Sequence, residues 1–174
     1  MEITQYQDII QKTAIYPKHL GPAYTTLGLI GELGELATAV TKGDRENVKK
    51  ESGDTLWYIT ATCNEFGIPL QEVFVTMPKK WVTYLEDPNI SINEAILIST
   101  ELSEIVKKFC RDREIKLDIL KIKLNHIYRQ VVSIISHYGF SINEVLEANY
   151  VKLIKRRETG TLHGSGDNRE ELIS

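Results

Sequence analysis

The sequence predicts an all-α protein that forms a single domain over residues 1–174. Apolar residues recur every three or four positions through most of the chain, which is the period of an amphipathic helix. No stretch alternates apolar and polar residues in the way that a half-buried strand does. Proline, glycine and capping residues divide the chain into segments of helical length. A chain of 174 residues is also long enough to bury a core of its own.

Two helices are predicted before the first polar turn. The first covers residues 3–15 and ends before Pro17, because the residue that precedes a proline avoids the helical conformation. Residues 18–22 are expected to form a loop, and the second helix is expected over residues 23–40. This helix contains three glycines, Gly28, Gly31 and Gly34. They leave room for a neighbouring helix or for a ligand, and the sequence does not choose between the two.

The third and fourth helices are bounded by clear start and stop signals. Asp44 is expected to cap a third helix that continues to Phe66 and stops at Gly67. Pro69 fits the first turn of a fourth helix, since its missing N–H would be unpaired there in any case. That helix is expected to reach about residue 85, with a kink or an early end at Pro78.

Three more helices are predicted in the second half of the chain. The segments 91–94 and 141–144 both read Ser-Ile-Asn-Glu, which is a capping box, and they are expected to open the fifth and seventh helices. The sixth helix is expected between them, over residues 116–138. Residues 159–174 contain a segment rich in glycine and serine and are predicted to be a loop or a tail.

Composition argues against several classes of function. A net charge of −3 argues against stable nucleic-acid binding, although a local basic patch occurs at residues 152–157. No apolar run approaches the roughly 20 residues that span a bilayer, and the first ten residues do not resemble a signal peptide. We therefore expect a cytoplasmic protein without membrane contact. Cys63 and Cys110 are expected to be buried, reduced thiols.

Parts of the first half of the chain recur in the second half. The sequence around Glu32 and Glu35 resembles that around Glu101 and Glu104, and residues 65–73 resemble residues 137–145. These matches predict a helical unit duplicated in tandem, and the alternative is chance similarity between amphipathic helices. The duplicated unit would comprise residues 1–88 and, as a degenerate copy, residues 89–158, followed by the tail 159–174.

Four carboxylates flank the polar turn at residues 41–47. They are Glu32, Glu35, Glu51 and Asp54. Residues three apart project from one face of a helix, and a short connection favours antiparallel packing of the two helices. The four groups can therefore converge, and a divalent cation such as Mg²⁺ or Mn²⁺ would offset their repulsion. The ordinary alternative is a set of exposed charges paired with Lys49 and Lys50.

These motifs resemble a known enzyme family. The segments GLIGELGEL and KKESGDTLWYI resemble the ExxE…ExxD signature of MazG-type all-α nucleoside triphosphate pyrophosphohydrolases, and the opening segment YPKHLGPAYTTLGL and the closing segment EANYVKLIKRRETGTLHGSGDNR are also similar to the family. The resemblance covers residues 16–73 and 145–169. It implies a helical bundle that is usually oligomeric, with Mg²⁺ held by carboxylates. It also implies hydrolysis of an NTP or dNTP to the monophosphate and pyrophosphate.

The resemblance assigns roles residue by residue. It implies four metal ligands, Glu32, Glu35, Glu51 and Asp54, of which Glu35 or Glu51 would activate water. The phosphate-binding residues of the closing helix would be Asn149, Lys152 and Arg156, and Lys80 is the surviving lysine of the first copy. In the second copy Lys123 and His126 replace the second acidic pair. The prediction is one active site, with carboxylates from the first copy and basic groups from the second.

Several alternatives stay open at this point. The chain could be a non-catalytic helical interaction or regulatory protein that retains the fold, or it could hydrolyse another nucleotide such as phosphoribosyl-ATP or an alarmone. The sequence does not identify the base, and it leaves a homodimer open. Four aromatic residues could stack on a base or lie in the core instead: His19, Tyr24, Trp57 and Trp81.

Overall fold

The computed structural model describes residues 1–75 and 87–163, and every regular element in these two ranges is helical. The helices are α1 (Ile3–Thr13), α2 (Gly21–Lys42), α3 (Arg45–Glu65), α4 (Leu70–Val73), α5 (Pro88–Asp112), α6 (Leu117–His137) and α7 (Ile142–Glu158). One turn of 3₁₀ helix, Lys18–Leu20, precedes α2. The all-α prediction is therefore confirmed.

Two helical hairpins form the frame of the molecule. α2 and α3 pack together across a connection of only two residues, Gly43 and Asp44, and α5 packs against α6 and also against α2. Gly43 ends α2 with a left-handed φ of 64°, a conformation that costs little without a β-carbon. Asp44 then caps α3 as predicted, because its Oδ1 accepts a hydrogen bond from the backbone N–H of Asn47 at 3.1 Å. α1 and α7 both pack against α3.

One apolar core joins the two hairpins. The leucines Leu29, Leu33 and Leu36 follow one stripe of α2 and are fully buried. They share this core with fully buried residues of α6, among them Leu124 and Ile127. Because apolar residues at i, i+4 and i+7 fill this stripe, α2 must turn its glutamates toward the edge of the bundle.

Helix ends differ from the predictions at several places, beginning with α1, which ends at Thr13 rather than at residue 15. α2 begins at Gly21, with Pro22 in its first turn, rather than at residue 23. α4 ends at Val73, so the prediction that the fourth helix continues through residues 74 and 75 is wrong. The rest of that predicted helix, including Pro78, lies outside the described residues. α5 begins at Pro88 with Asp87 as its cap, which places residues 91–94 inside the helix and removes the predicted capping box.

The second predicted capping box is present. Ser141 accepts a hydrogen bond from the backbone N–H of Glu144, and Glu144 accepts one from the backbone N–H of Ser141. The prediction for the cysteines is right for Cys63, which is fully buried and whose pKa is raised by burial to about 12. It is wrong for Cys110, which is exposed because it lies on the outer face of α5. Among the described residues no helix has the length and apolarity that crossing a bilayer requires.

Candidate active site

The α2–α3 hairpin brings the two acidic pairs to the same level. Glu35 and Glu51 lie 43 − 35 = 8 and 51 − 44 = 7 residues from the two turn residues, and Glu32 and Asp54 lie 43 − 32 = 11 and 54 − 44 = 10 residues away. Each residue of a helix adds the same rise along its axis, so nearly equal separations from the turn place two residues at nearly the same level along the two helices. The spacing of the motif and the short turn together place these groups opposite one another.

Three of the four carboxylates form one cluster. Carboxylate oxygens of Glu32, Glu35 and Glu51 lie within 4.8 Å of one another. Burial, followed by the charges of Asp54, Glu35 and Glu51, raises the pKa of Glu32 to about 8, against an opposing effect of Lys152. Oxygen donors that crowd and repel in this way fit a hard divalent cation, which would relieve the repulsion.

The glutamates of the cluster differ in their surroundings. Glu51 is only 6% exposed and its Oε1 accepts a hydrogen bond from Lys50 at 2.7 Å. Burial raises the pKa of Glu51, and Lys50 opposes that shift. Glu35 is exposed, and its carboxylate makes no hydrogen bond to another residue in the described part of the chain. The ordinary alternative, pairing with lysines, therefore holds for Glu51 with Lys50 but not for Glu35.

Asp54 stands beside the cluster and is held from α7. Its Oδ1 accepts hydrogen bonds from Asn149 Nδ2 at 2.9 Å and from Lys152 Nζ. Asn149 is itself oriented by Tyr6, whose hydroxyl donates to Asn149 Oδ1 at 2.8 Å. The structure thus brings Asn149 and Lys152, about a hundred residues distant in sequence, to the carboxylates.

Gly53 allows α7 to come this close. A β-carbon at this position would lie 3.2 Å from the β-carbon of Asn149, so any side chain would push α7 outward by a few tenths of an ångström. Neither Tyr6 nor Gly53 was found from the sequence. Tyr6 matched the apolar period of the first helix, and a glycine inside an acidic motif carries no signal about which helix packs on it.

The carboxylates open into a cavity of about 430 Å³. One part of its wall is charged and includes Glu32, Glu35, Asp54, Lys152 and Arg156. Another part is aromatic and is formed by Tyr16, Tyr24, Trp57 and Tyr58. A cavity with cations and carboxylates on one side and aromatic rings on another matches the two chemically different halves of a nucleotide.

The aromatic wall is a connected series of rings. The Tyr16 ring stacks on Tyr24 with centroids 4.7 Å apart, and Tyr24 lies 6.3 Å from Tyr58. The Tyr58 ring lies against Gly28, where a β-carbon would come within 2.0 Å of it, so this glycine serves close approach of a side chain from α3. Gly31 and Gly34 face open space.

The sequence found half of this aromatic wall. Tyr24 and Trp57 line the cavity, whereas His19 does not belong to its lining. In the sequence Tyr16 is notable only as the residue before Pro17, and Tyr58 follows Trp57 without any pattern that indicates a role in a site. Trp81 and Lys80, together with the tail from residue 164, lie outside the described residues.

In the second hairpin, the two glutamates that correspond to Glu32 and Glu35 in the repeat each form an ion pair with a lysine. Lys123 Nζ on α6 donates a hydrogen bond to Glu101 Oε2 on α5. Glu104 is bonded to Lys107 at 2.5 Å. His126 is the other residue that replaces the second acidic pair, and its Nε2 lies 3.9 Å from Glu94 Oε2. Across residues 1–75 and 87–163, three metal-ligand side chains come together only around Glu32.

Comparison with known proteins decides the family. The model of the MazG nucleotide pyrophosphohydrolase domain matches residues 21–84. The chain is also 32% identical to the Gene 37 protein of Mycobacterium phage L5, in an alignment that covers 42% of this chain and 79% of the phage protein. The chain belongs to the MazG nucleotide pyrophosphohydrolase family. No solved structure matches the chain.

The MazG match covers the carboxylates but not their basic neighbours. All four acidic residues lie within residues 21–84, while Asn149, Lys152 and Arg156 lie beyond that range. The assignment of α7 to the same site therefore depends on the hydrogen bonds from Asn149 and Lys152 to Asp54.

The second hairpin provides a first test of this MazG site. Changing both Glu101 and Glu104 to Gln is expected to leave pyrophosphate release within about twofold of the parent chain, because exposed ion pairs contribute little and the cluster at Glu32 is untouched. Steady-state kinetics under one set of conditions would measure this. Near-total loss of activity in the double variant, with an unchanged circular dichroism spectrum, would show that the second hairpin takes part in catalysis.

Tyr6 provides a second test. Tyr6→Phe removes the donor that orients the Asn149 amide, so the amide can turn its oxygen toward Asp54 and repel it. We expect kcat/KM to fall about tenfold, in line with the loss of one buried hydrogen bond. Tyr128→Phe is the matched control, since Tyr128 is a buried tyrosine that stacks on Phe74 outside the cavity. Equal effects of the two changes would contradict a role for Tyr6 in the site.

Proposed function

We propose that the chain is a Mg²⁺-dependent nucleoside triphosphate pyrophosphohydrolase that converts an NTP or dNTP to the monophosphate and pyrophosphate. The observation that carries the proposal is the cluster of three glutamates beside the cavity that Lys152 and Arg156 also line. A cluster of carboxylates alone could bind a metal ion without catalysing a reaction. Carboxylates in the same cavity as basic side chains suit a substrate that is a polyanion and binds together with a metal ion.

Glu32, Glu35 and Glu51 would hold the cation. Asp54 is not a member of this cluster and is bonded to Asn149 and Lys152, and we propose it as a fourth ligand. When bound, Mg²⁺ supplies charge screening of the phosphates and lowers the pKa of a bound water. Mn²⁺ suits the same oxygen donors. Glu51 also forms an ion pair with Lys50, and Asp54 forms one with Lys152, so lysines offset part of the negative charge of the site.

Glu35 is the proposed proton acceptor. It is the exposed member of the cluster, and its carboxylate has no hydrogen bond to the rest of the described chain, whereas Glu51 is buried and paired with Lys50. In the reaction the water oxygen bonds to the α-phosphorus, and the bond from that phosphorus to the α–β bridging oxygen breaks. One water proton passes to the carboxylate, and pyrophosphate carries away the bridging oxygen.

Lys152 and Arg156 are proposed to bind the phosphate chain. Both line the cavity from α7, and Arg156 is only 8% exposed, so its guanidinium is well positioned rather than free in solvent. A smaller cavity of about 240 Å³ adjoins the site at Lys152 and is also lined by Lys49 and Lys50. These cations would screen charge that develops on the departing pyrophosphate.

We also propose that the fold is a tandem duplication with one surviving site. Each copy would contribute a hairpin, α2–α3 and α5–α6, and the second copy would end in α7, which serves the first copy's carboxylates. The ion pair between Lys123 and Glu101 supports this proposal, because an internal lysine occupies the place where a cation would otherwise be needed.

A substrate panel tests the proposed function. The full chain is incubated with the common NTPs and dNTPs, phosphoribosyl-ATP and an alarmone, with Mg²⁺ or with EDTA, and pyrophosphate is measured. Release from at least one triphosphate that requires Mg²⁺ would support the proposal. Turnover of only phosphoribosyl-ATP or the alarmone would show that the substrate is that nucleotide and not a common triphosphate. Silence across the panel, without a Mg²⁺-dependent rise in melting temperature, would favour a non-catalytic protein that retains the fold.

A further inference from the structure

Tyr16 lies at the end of the aromatic wall farthest from the carboxylate cluster, and its hydroxyl hydrogen is used in a hydrogen bond to another residue. The Tyr16 hydroxyl donates a hydrogen bond to Glu65 Oε1 at 2.8 Å. Tyr16 lines the cavity, whereas Glu65 does not. A hydroxyl that donates to a carboxylate can only accept from any further partner, because it has one hydrogen and two lone pairs. A ligand in the cavity that reaches this hydroxyl would therefore meet an acceptor.

The geometry that holds Glu65 in place is tight. Gly21, the first residue of α2, lies so close that a β-carbon there would come within 1.9 Å of Glu65 Oε2. The stacking of Tyr16 on Tyr24 fixes the other partner of the hydrogen bond. The hydrogen bond and the charge of Glu65 also raise the pKa of Tyr16, after burial, so the phenol keeps its proton.

The order of the rings indicates which half of a nucleotide reaches Tyr16. Tyr58 follows Asp54 by four residues, about one turn of α3, and Glu65, the hydrogen-bond partner of Tyr16, lies seven residues further along the same helix. Tyr24 lies between the other two rings, in contact with Tyr58 on one side and with Tyr16 on the other. The wall therefore leads from the carboxylates through Tyr58 and Tyr24 to Tyr16. With phosphates at the carboxylates, the base lies at the Tyr16 end.

We infer that the Tyr16–Glu65 pair selects nucleotides whose base carries an exocyclic amino group, such as cytosine or adenine, over bases that carry a carbonyl oxygen at the same place. This inference rests on the proposed function for the position of the phosphates. An amino group donates to the remaining lone pair of Tyr16. A carbonyl oxygen at that position would face another acceptor and would lose its hydrogen bond to water without replacement. Tyr16 is thus a specificity-determining residue and Glu65 its positioning residue.

Matched nucleotide pairs test the inference. dCTP and dUTP differ at position 4 of the base, and dATP and dITP differ at position 6, in each case by amino against carbonyl, with the neighbouring ring nitrogen changing from an acceptor to an N–H donor. For the parent chain we expect kcat/KM to favour the amino member of at least one pair by about tenfold, the value of one hydrogen bond. Tyr16→Phe, which retains the ring, should reduce that ratio to below about threefold. Glu65→Gln lets the amide donate to the tyrosine oxygen and should reduce the ratio as well.

Binding of the product monophosphates separates this inference from the proposed function. Calorimetry with dCMP, dUMP, dAMP and dIMP requires no turnover, so an amino preference in Kd together with an inactive enzyme would overturn only the pyrophosphohydrolase proposal. Tyr128→Phe is the control and should leave both ratios and activity unchanged. The inference is overturned if the parent chain prefers the amino member of neither pair, or if Tyr16→Phe weakens both members equally.

Discussion

Replacing Glu35 by Gln is expected to lower kcat for pyrophosphate release by about 10³-fold, the scale on which a catalytic acid or base contributes. The substitution retains size and hydrogen-bonding capacity but removes both a charge from the cluster and the proposed proton acceptor. Because the Glu35 side chain is exposed and makes no hydrogen bond within the described chain, the folded state should keep its stability. Removing one of several like charges should even raise the melting temperature in EDTA slightly.

Glu104 offers a matched control for Glu35. The internal repeat aligns the two residues, both are exposed glutamates on a long helix, and Glu104 is bonded to Lys107 rather than grouped with other carboxylates. Glu104→Gln should leave kcat within about twofold, as expected for an exposed ion pair. If Glu35→Gln keeps more than a tenth of the parent kcat, Glu35 is not the proton acceptor, and Glu51 becomes the residue to examine.

The second large effect is expected at Lys152. Lys152→Met keeps the length of the side chain but removes a charge that contacts Asp54 and faces the cavity. We expect kcat/KM to fall by about 10²–10³, the range found when one preorganised donor to a developing charge is lost. Asp54 would also lose a partner, which should loosen its position relative to the three glutamates.

Lys155→Met is the corresponding control on the same helix. Lys155 lies one turn away, on the exposed side of α7, so the change in charge is the same while the cavity keeps its lining. A fall of less than about threefold is expected there, because exposed charges contribute little. Similar losses in both variants would mean that the general positive charge of α7, and not the position of Lys152, assists the substrate.

The sequence predicts that Glu32, Glu35 and Glu51 come together, because their approach depends on local spacing. Glu32 and Glu35 are one helical turn apart, and the same holds for Glu51 and Asp54, so helical period and one short turn determine their convergence. The basic half follows from the family resemblance and is long-range, because Asn149 and Lys152 reach Asp54 only after α7 packs on Gly53. No local pattern shows which helix will cover a given glycine.

The differences at helix ends have a similar cause. Asp87 and Pro88 form a good start for α5, with Asp87 Oδ1 accepting from the backbone N–H of Asn89 at 2.9 Å, but the same residues also read as a break in the chain. The serine of the alternative start at residue 91 is fully buried, and its hydroxyl lies 3.2 Å from that of Ser133 on α6. Tertiary packing therefore decided between two starts that local propensity left nearly equal.

The base end of the cavity was the least predictable part. Tyr16 lies in the connection between α1 and α2, where the only sequence signal is the proline that follows it. Its partner Glu65 is 49 residues away and looks like an ordinary residue at the end of a helix. Only the packing of that connection against Gly21 and Tyr24 reveals that the two form a hydrogen-bonded pair.

One measurement tests the central claim most directly. Phosphorus NMR can follow the full chain with Mg²⁺ and its preferred triphosphate, beside the Glu35→Gln variant under the same conditions. The proposed site predicts equal amounts of nucleoside monophosphate and pyrophosphate from the parent chain and unchanged triphosphate from the variant. Nucleoside diphosphate and inorganic phosphate as the products, or equal turnover by both proteins, would contradict a site built on the Glu32, Glu35 and Glu51 cluster.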